Sequence, residues 1–259
     1  MNAKYRLLAL DMDGTLLNDE QIITPLTVEW IKKAVDAGVH VCLSTGRATR
    51  SAMPYAEQLG LKTPMIMVNG SEVWRAPGEL YRRSLMDPAL VQQMYDLAQE
   101  FGVWYWAYSV DQVYNQRNWD GDIQGREWLK FGYSTEDHDV RHQLLMRLQD
   151  MGGLEITNSS PQNLEINPLG VNKASGILEV CQLLGVEMSQ VVAVGDSLND
   201  LAAIQQAGLG VAMGNAQDTV KQEADVVTAS NNEDGIAEVI RKYILTGSEA
   251  GTGEARITD

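Results

Sequence analysis

The sequence predicts an α/β protein: a doubly wound, mainly parallel sheet interrupted by a smaller inserted α+β domain. Three observations carry that reading. Short, wholly apolar runs at residues 7–10, 65–68 and 191–194 each stop at small, acidic or amide residues, as buried parallel strands do. Helical patterns separate the early runs, giving strand, helix, strand, helix, strand, which is the signature of parallel βαβ units. The middle third breaks this rhythm with hairpin-like and amphipathic stretches, and the rhythm resumes after Lys173.

Taken in order, the strand at residues 7–10 ends in Asp11-Met12-Asp13-Gly14-Thr15. Thr24-Pro25 offers a helix cap followed by a first-turn proline, and that helix runs to Gly38. Residues 39–44 form the next strand, ending in Ser44-Thr45-Gly46-Arg47. A second helix reaches about Gly60, and the strand at 65–68 ends in Asn69-Gly70. Residues 73–81 read as short strands broken by Ala76-Pro77-Gly78. Asp87-Pro88 caps a helix whose apolar face is Leu90, Val91, Met94, Leu97 and Phe101, with Gly102 as its stop. Strands follow at 104–108 and 112–115, and residues 118–139 read as one polar stretch. A helix carrying Leu144, Leu145, Leu148 and Met151 precedes alternating strands at 154–157 and 163–166. Lys173 opens a helix to Leu184. The strand at 191–194 ends in Gly195-Asp196-Ser197-Leu198-Asn199-Asp200, with a helix expected from 201 to about 207. Short strands at 210–212 and 226–227 and a helix at 234–243 complete the pattern. The expected organisation is a core at 1–82 and 169–245, an inserted domain at 83–168, and a tail at 246–259 whose composition predicts disorder.

Bulk properties narrow the functional classes. The formal charge of −15 argues against nucleic acid or an anionic membrane as a partner. Cys42 and Cys181 sit in apolar runs and read as buried free thiols. Nothing has the layout of a signal peptide or of a span long enough to cross a bilayer, so a cytoplasmic protein is expected.

Four strand or helix ends concentrate residues with chemistry in them: Asp11 and Asp13; Thr45, Gly46 and Arg47; Lys173; and Asp196 with Asn199 and Asp200. Each has a plainer reading. Asp-x-Asp-Gly is good turn chemistry, a helix-start lysine is usually solvated, Asn199-Asp200 would serve as an N-cap pair, and Arg47 would make a structural ion pair. Asn69 reads as a turn residue lining the crevice. His40, His138 and His142 are scattered, and none is given a catalytic role.

The order of these four segments, with their flanking elements and the late insertion between the second and third, is similar to the haloacid dehalogenase superfamily, Cof-type branch. The resemblance covers the chain to about Leu245. It implies a Rossmann-like core with an α/β cap and a phosphatase that splits a slow hydrolysis into two steps through an aspartyl-phosphate. By the family pattern Asp11 is the nucleophile, and Asp13 protonates the leaving oxygen and then activates water. Thr45, Gly46, Arg47, Lys173 and Asn199 would bind the phosphoryl group. The resemblance also implies Mg²⁺ on the Asp11 carboxylate, the Asp13 backbone carbonyl and the Asp196 carboxylate, with Asp200 in support. Electrostatics asks for such a cation, because each like-charge pair at about 4 Å costs roughly 4 kcal/mol at an effective dielectric near 20. The expected partner is a small phosphate ester, a sugar phosphate or a related phosphometabolite. A phosphomutase and a non-enzymatic binder on the same fold are the alternatives. In the cap, strand alternation puts Trp104, Trp106 and Tyr108 on one face. They form either a stacking platform or packing against the cap's own helices, with packing expected for most. Arg117, Arg126 and Lys130 lie in the polar stretch, where a substrate loop could sit, with solvated surface as the default reading.

Overall fold

A computed structural model of the protein describes residues 4–245; the tail expected to be disordered, 246–259, lies outside the described residues. β1 (Leu7–Leu10) is buried on both faces, which places it inside a sheet covered on both sides. The chain then alternates α1 (Pro25–Asp36), β2 (His40–Leu43), α2 (Thr49–Gln58) and β3 (Met65–Met67). The Thr24 hydroxyl accepts the Thr27 N–H at the head of α1, with Pro25 in the first helical position, as its sequence predicts. β3 meets the main sheet through a parallel bridge between Ser44 and Ile66. It then joins an antiparallel sheet with β4 (Glu72–Ala76) and β5 (Glu79–Arg83).

The insertion contributes α3 (Pro88–Phe101), β6 (Trp104–Ser109), β7 (Val113–Asn115), β8 (Trp128–Ser134), α4 (His138–Met151), β9 (Leu154–Thr157) and β10 (Asn163–Pro168). Its sheet is antiparallel, in the order β7-β6-β8-β10-β9. Val91, Met94, Leu144 and Leu148 of the two helices pack on Tyr105, Phe131, Leu164 and Ile166. β8 corrects the sequence reading, which left residues 118–139 as one polar stretch. Phe131 and Tyr133 face the helices while Lys130 and Gly132 face away, and this alternation is masked by the polar residues around it.

The chain returns with α5 (Lys173–Leu184), β11 (Val191–Gly195), α6 (Leu198–Gln206), β12 (Leu209–Ala212), α7 (Asp218–Glu223), β13 (Val226–Val227) and α8 (Gly235–Val239). The main sheet is parallel, β13-β12-β11-β1-β2. α6 starts at Leu198, earlier than expected, because Ser197 is its cap and Asp200 closes the first turn. Strand order reverses between β1 and β11, so a crevice opens at their carboxyl ends, the usual ligand position in open α/β sheets. Among the described residues no helix is long and apolar enough to cross a membrane.

The cap sheet is pinned over that crevice by buried polar contacts. Val68 and Asn69 have φ of 53° and 56°, a region that is costly for a β-branched side chain. Asn167 holds this turn by donating to the Val68 carbonyl and to Ser71 Oγ, both at 2.9 Å. Ser71 in turn donates to the Leu129 carbonyl at 2.8 Å. Asn167→Ala leaves the buried Val68 carbonyl without this donor and is expected to lower stability by roughly 1–3 kcal/mol in urea unfolding.

Candidate active site

Three carboxylates and one ammonium meet at the carboxyl ends of β1 and β11. Asp11 follows β1, Asp196 follows β11, Asp200 sits in the first turn of α6, and Lys173 is the first residue of α5. Lys173 is 1% exposed, and its Nζ lies 2.5 Å from Asp11 Oδ1 and 2.6 Å from Asp200 Oδ1. The second oxygen of Asp200 accepts the backbone N–H groups of Asp196 and Ser197, each at 3.1 Å. Asp196 accepts the Thr15 hydroxyl at 3.3 Å and the Ser197 hydroxyl at 3.0 Å. Gly14 has φ +76°, and a Cβ there would come within 2.7 Å of the Asp196 carboxylate, so the turn after β1 has no room for a side chain.

One ammonium does not balance three carboxylates. Burial raises Asp11 well above the usual carboxylate range; Lys173 opposes this, and Asp200 and Asp196 reinforce it. Burial, then the Asp200 charge, pushes Asp196 up to about 7. Burial alone would lower the Lys173 ammonium, but Asp11 and Asp200 outweigh it and hold the group above its ordinary value. One oxygen from each of Asp11, Asp196 and Asp200 lies within 4.8 Å of the others. Hard oxygen donors with uncompensated negative charge are a donor set that fits a divalent cation.

Asp13 points elsewhere. Its half-exposed carboxylate takes Arg47 Nε on one oxygen at 2.8 Å and Nη2 on the other at 2.5 Å, while Nη2 also donates to Gln21. Arg47 thus makes an ion pair with Asp13 while also lining the cavity. The buried Thr45 hydroxyl accepts the Arg47 backbone N–H at 3.1 Å. Asp11, Asp13, Gly46, Arg47, Asp196 and Asn199 line a cavity of about 290 Å³. Thr45, Lys173 and Asp200 are buried behind it, each bonded to a residue that lines it.

The cap supplies the rest of the lining, and most of it was not legible in the sequence. Lys130, expected at solvated surface, is 1% exposed. Its Nζ donates to the Gly46 carbonyl at 2.9 Å and to Glu165 Oε1 at 3.1 Å. Burial of Glu165 is outweighed by Lys130 and by the Asn69 amide, leaving its pKa below the ordinary range. Asn69 Nδ2 donates to Glu165 at 2.7 Å, and Asn199 Nδ2 reaches Asn69 Oδ1 at 3.4 Å. Trp106, Tyr108, Ser159 and Asn163 complete the wall. Trp106 and Tyr108 line the cavity rather than pack on the cap helices, and Tyr108 also packs against the core cluster. Tyr105, the residue before Trp106, is the ring that packs inward. Arg117 lies over Trp104, and Arg126 pairs with Asp120.

Comparison with known proteins agrees with this architecture. The model of the haloacid dehalogenase-like hydrolase family matches residues 8–143 and 115–240. A 5-amino-6-(5-phospho-D-ribitylamino)uracil phosphatase of Bacillus subtilis is 47% identical over 240 residues, covering 93% of this chain and 96% of that protein. A second Bacillus subtilis phosphatase of the same name is 32% identical, covering 94% and 99%. Among solved structures, a haloacid dehalogenase-like hydrolase from B. subtilis superposes with a TM-score of 0.85 at 24% identity, covering 92% of this chain and all of that one. The chain belongs to the haloacid dehalogenase-like hydrolases and is a phosphatase of that family.

Proposed function

We propose that this phosphatase cleaves its ester through a phosphoaspartate on Asp11, with Asp13 moving protons. The substrate is 5-amino-6-(5-phospho-D-ribitylamino)uracil or a close chemical relative, a phosphorylated polyol joined to a planar ring. The observation that carries the reading is the seat of Asp11: at the base of the cavity, its far side held by Lys173. The 47% identity to a phosphatase of that name supports the substrate.

In the first step an Asp11 oxygen attacks phosphorus, the bond to the leaving oxygen breaks, and Asp13 donates a proton to that oxygen. In the second, water gives a proton to Asp13 and attacks the phosphoaspartate, releasing phosphate and restoring Asp11. Arg47 engages both oxygens of Asp13, so one of those contacts must open before Asp13 can reach the leaving group. Arg47 then becomes free to meet the substrate phosphate, while the Gly46 turn faces the same space. Lys173 orients Asp11 and opposes the burial that favours its protonated form.

The acidic cluster fits Mg²⁺, held by the carboxylates of Asp11 and Asp196 and the Asp13 carbonyl with Asp200 behind them. When bound, such an ion supplies a Lewis acid that draws charge from the phosphoryl oxygens. The cluster's own charge sets what happens without one. Asp196, raised in the folded chain, binds more protons folded than unfolded between about pH 4 and 7, so its contribution to stability falls as pH rises through that window.

Asp11→Asn is expected to reduce hydrolysis to background while leaving the far-ultraviolet circular dichroism unchanged; retained turnover would remove Asp11 as nucleophile. Activity should disappear in chelator and return with Mg²⁺, and full activity in chelator contradicts the metal assignment. In chelator, the melting temperature of the native protein should fall from pH 4.5 to 7 relative to Asp196→Asn. Added Mg²⁺ should abolish that difference, and parallel pH curves for the two proteins would show that Asp196 carries no such load.

A further inference from the structure

The cavity face of the cap carries a ring that the fold itself does not use. On the opposite face the aromatics satisfy one another: Tyr95 stacks on Trp119 at 5.0 Å, Trp119 on Trp128 at 5.5 Å and Tyr105 on Phe131 at 5.9 Å. Trp106 makes no ring contact among the described residues, and its indole N–H makes no hydrogen bond among them. It lies at the wall of the catalytic cavity all the same.

Its posture is set by a glycine. Trp106, Gly132 and Glu165 stand in one row across β6, β8 and β10. A Cβ at position 132 would come within 2.4 Å of two indole carbons. The missing side chain lets the indole lie directly against the β8 backbone at a point where the residue also lines the cavity. An indole held this way has a free π surface and a free donor, which is the complement of a planar heterocycle.

A second feature lines the same cavity as this platform and Asp11. Asn69 Nδ2 is committed to Glu165 at 2.7 Å, so its Oδ1 is the terminus that faces Asn199. Asn199 must therefore offer Nδ2 to Asn69, which leaves its own Oδ1 as an acceptor. That oxygen is buried and has no partner, although Asn199 is only 5% exposed and lines the cavity. A buried acceptor of this kind awaits a donor from a ligand. A hydroxyl or amine supplies one, whereas a phosphate dianion does not.

We infer that Trp106 is the specificity-determining residue of this phosphatase: it stacks on a planar ring at the far end of the leaving group, while Asn199 Oδ1 accepts a hydroxyl or amine hydrogen bond from the chain linking ring to phosphate. The inference rests on the phosphatase reading above and adds the residues that choose the substrate. Stacking of a heterocycle on an aromatic side chain is worth enough to change selectivity by roughly tenfold or more.

The test compares kcat/KM for 5-amino-6-(5-phospho-D-ribitylamino)uracil with that for ribitol 5-phosphate, which has the same phosphate and polyol but no ring. The native protein is expected to favour the ring-bearing ester by about tenfold or more. That ratio should collapse in Trp106→Ala and in Gly132→Ala, whose new methyl group displaces the indole while leaving it in the chain, and should persist in Trp106→Phe. A native ratio near one, or a ratio unchanged in both alanine variants, overturns the inference. Indole fluorescence with unphosphorylated 5-amino-6-ribitylaminouracil gives a reading independent of turnover. Quenching in the native protein that is lost in Trp106→Phe supports the platform, and equal quenching in the two contradicts it. Failure of the native protein to release phosphate from either ester, or from acetyl phosphate, defeats the phosphatase reading alone and leaves the fluorescence comparison to decide on Trp106.

Discussion

The ammonium of Lys173 between Asp11 and Asp200 is the interaction on which the core depends. A lysine that is 1% exposed stays charged only because two carboxylates face it. Its place at the head of α5 makes this harder, since the amino end of a helix disfavours a cation. Removing one member of such a buried set typically costs about 3–5 kcal/mol, because the survivor is left unpaired. Three chain segments far apart in sequence must therefore arrive at one point. The parallel pairing of Leu10 with Val194 brings the ends of β1 and β11 side by side, and α6 folds back so that Asp200 reaches under Asp196. The topology of the sheet is the means by which these charges meet.

The cap repeats the device in neutral form. Lys130 is as buried as Lys173, but a single carboxylate, Glu165, balances it, and the pair adds no net charge beside a dianionic substrate. Its second hydrogen bond, to the Gly46 carbonyl, crosses from cap to core at the loop expected to hold phosphate. The Asn69 amide ties Glu165 to the same loop region, and Asn167 fixes the strained turn that aims Asn69. Cap position and phosphate-loop geometry are thereby one structural variable. A displaced cap would keep the Lys130–Glu165 pair, which lies within it, but would take the Gly46 carbonyl from Lys130 and the Asn69 amide from Glu165.

This division explains which parts of the site could be read from the sequence. Strand ends were legible because an apolar run that stops at Asp11 or Asp196 has a local signature, and the order of four such ends carried the family resemblance. Lys173 was legible only through that order, since a lysine opening a helix looks solvated in isolation. Lys130, Glu165 and Asn69 were not legible as a network. Their partners are 35 to 96 residues apart, and nothing local marks a lysine in a polar-looking stretch as the centre of a buried pair. β8 was lost for the same reason, its alternation diluted by Lys130 and Gly132, the residues that face the cavity. For Arg47 the structural ion pair of the sequence reading is present, with Asp13 as its partner, and the residue also lines the cavity.

A protein of net charge −15 that binds a phosphate dianion must separate global charge from local charge. Here the core side of the cavity is lined by ions of both signs, Arg47 and the carboxylates of Asp11, Asp13 and Asp196, and affinity for an anion there depends on balancing strong opposing terms. The cap side of the lining is an indole, a phenol, amides and the mutually neutralising Lys130–Glu165 pair, so it carries no net charge. Binding energy realised at a remote, uncharged end of a substrate can be used to hold the phosphate against the acidic cluster, in the face of the repulsion between carboxylate and dianion. Discrimination among esters that share a phosphate group can arise only at that end, because the ionic half of the cavity meets the same atoms in all of them.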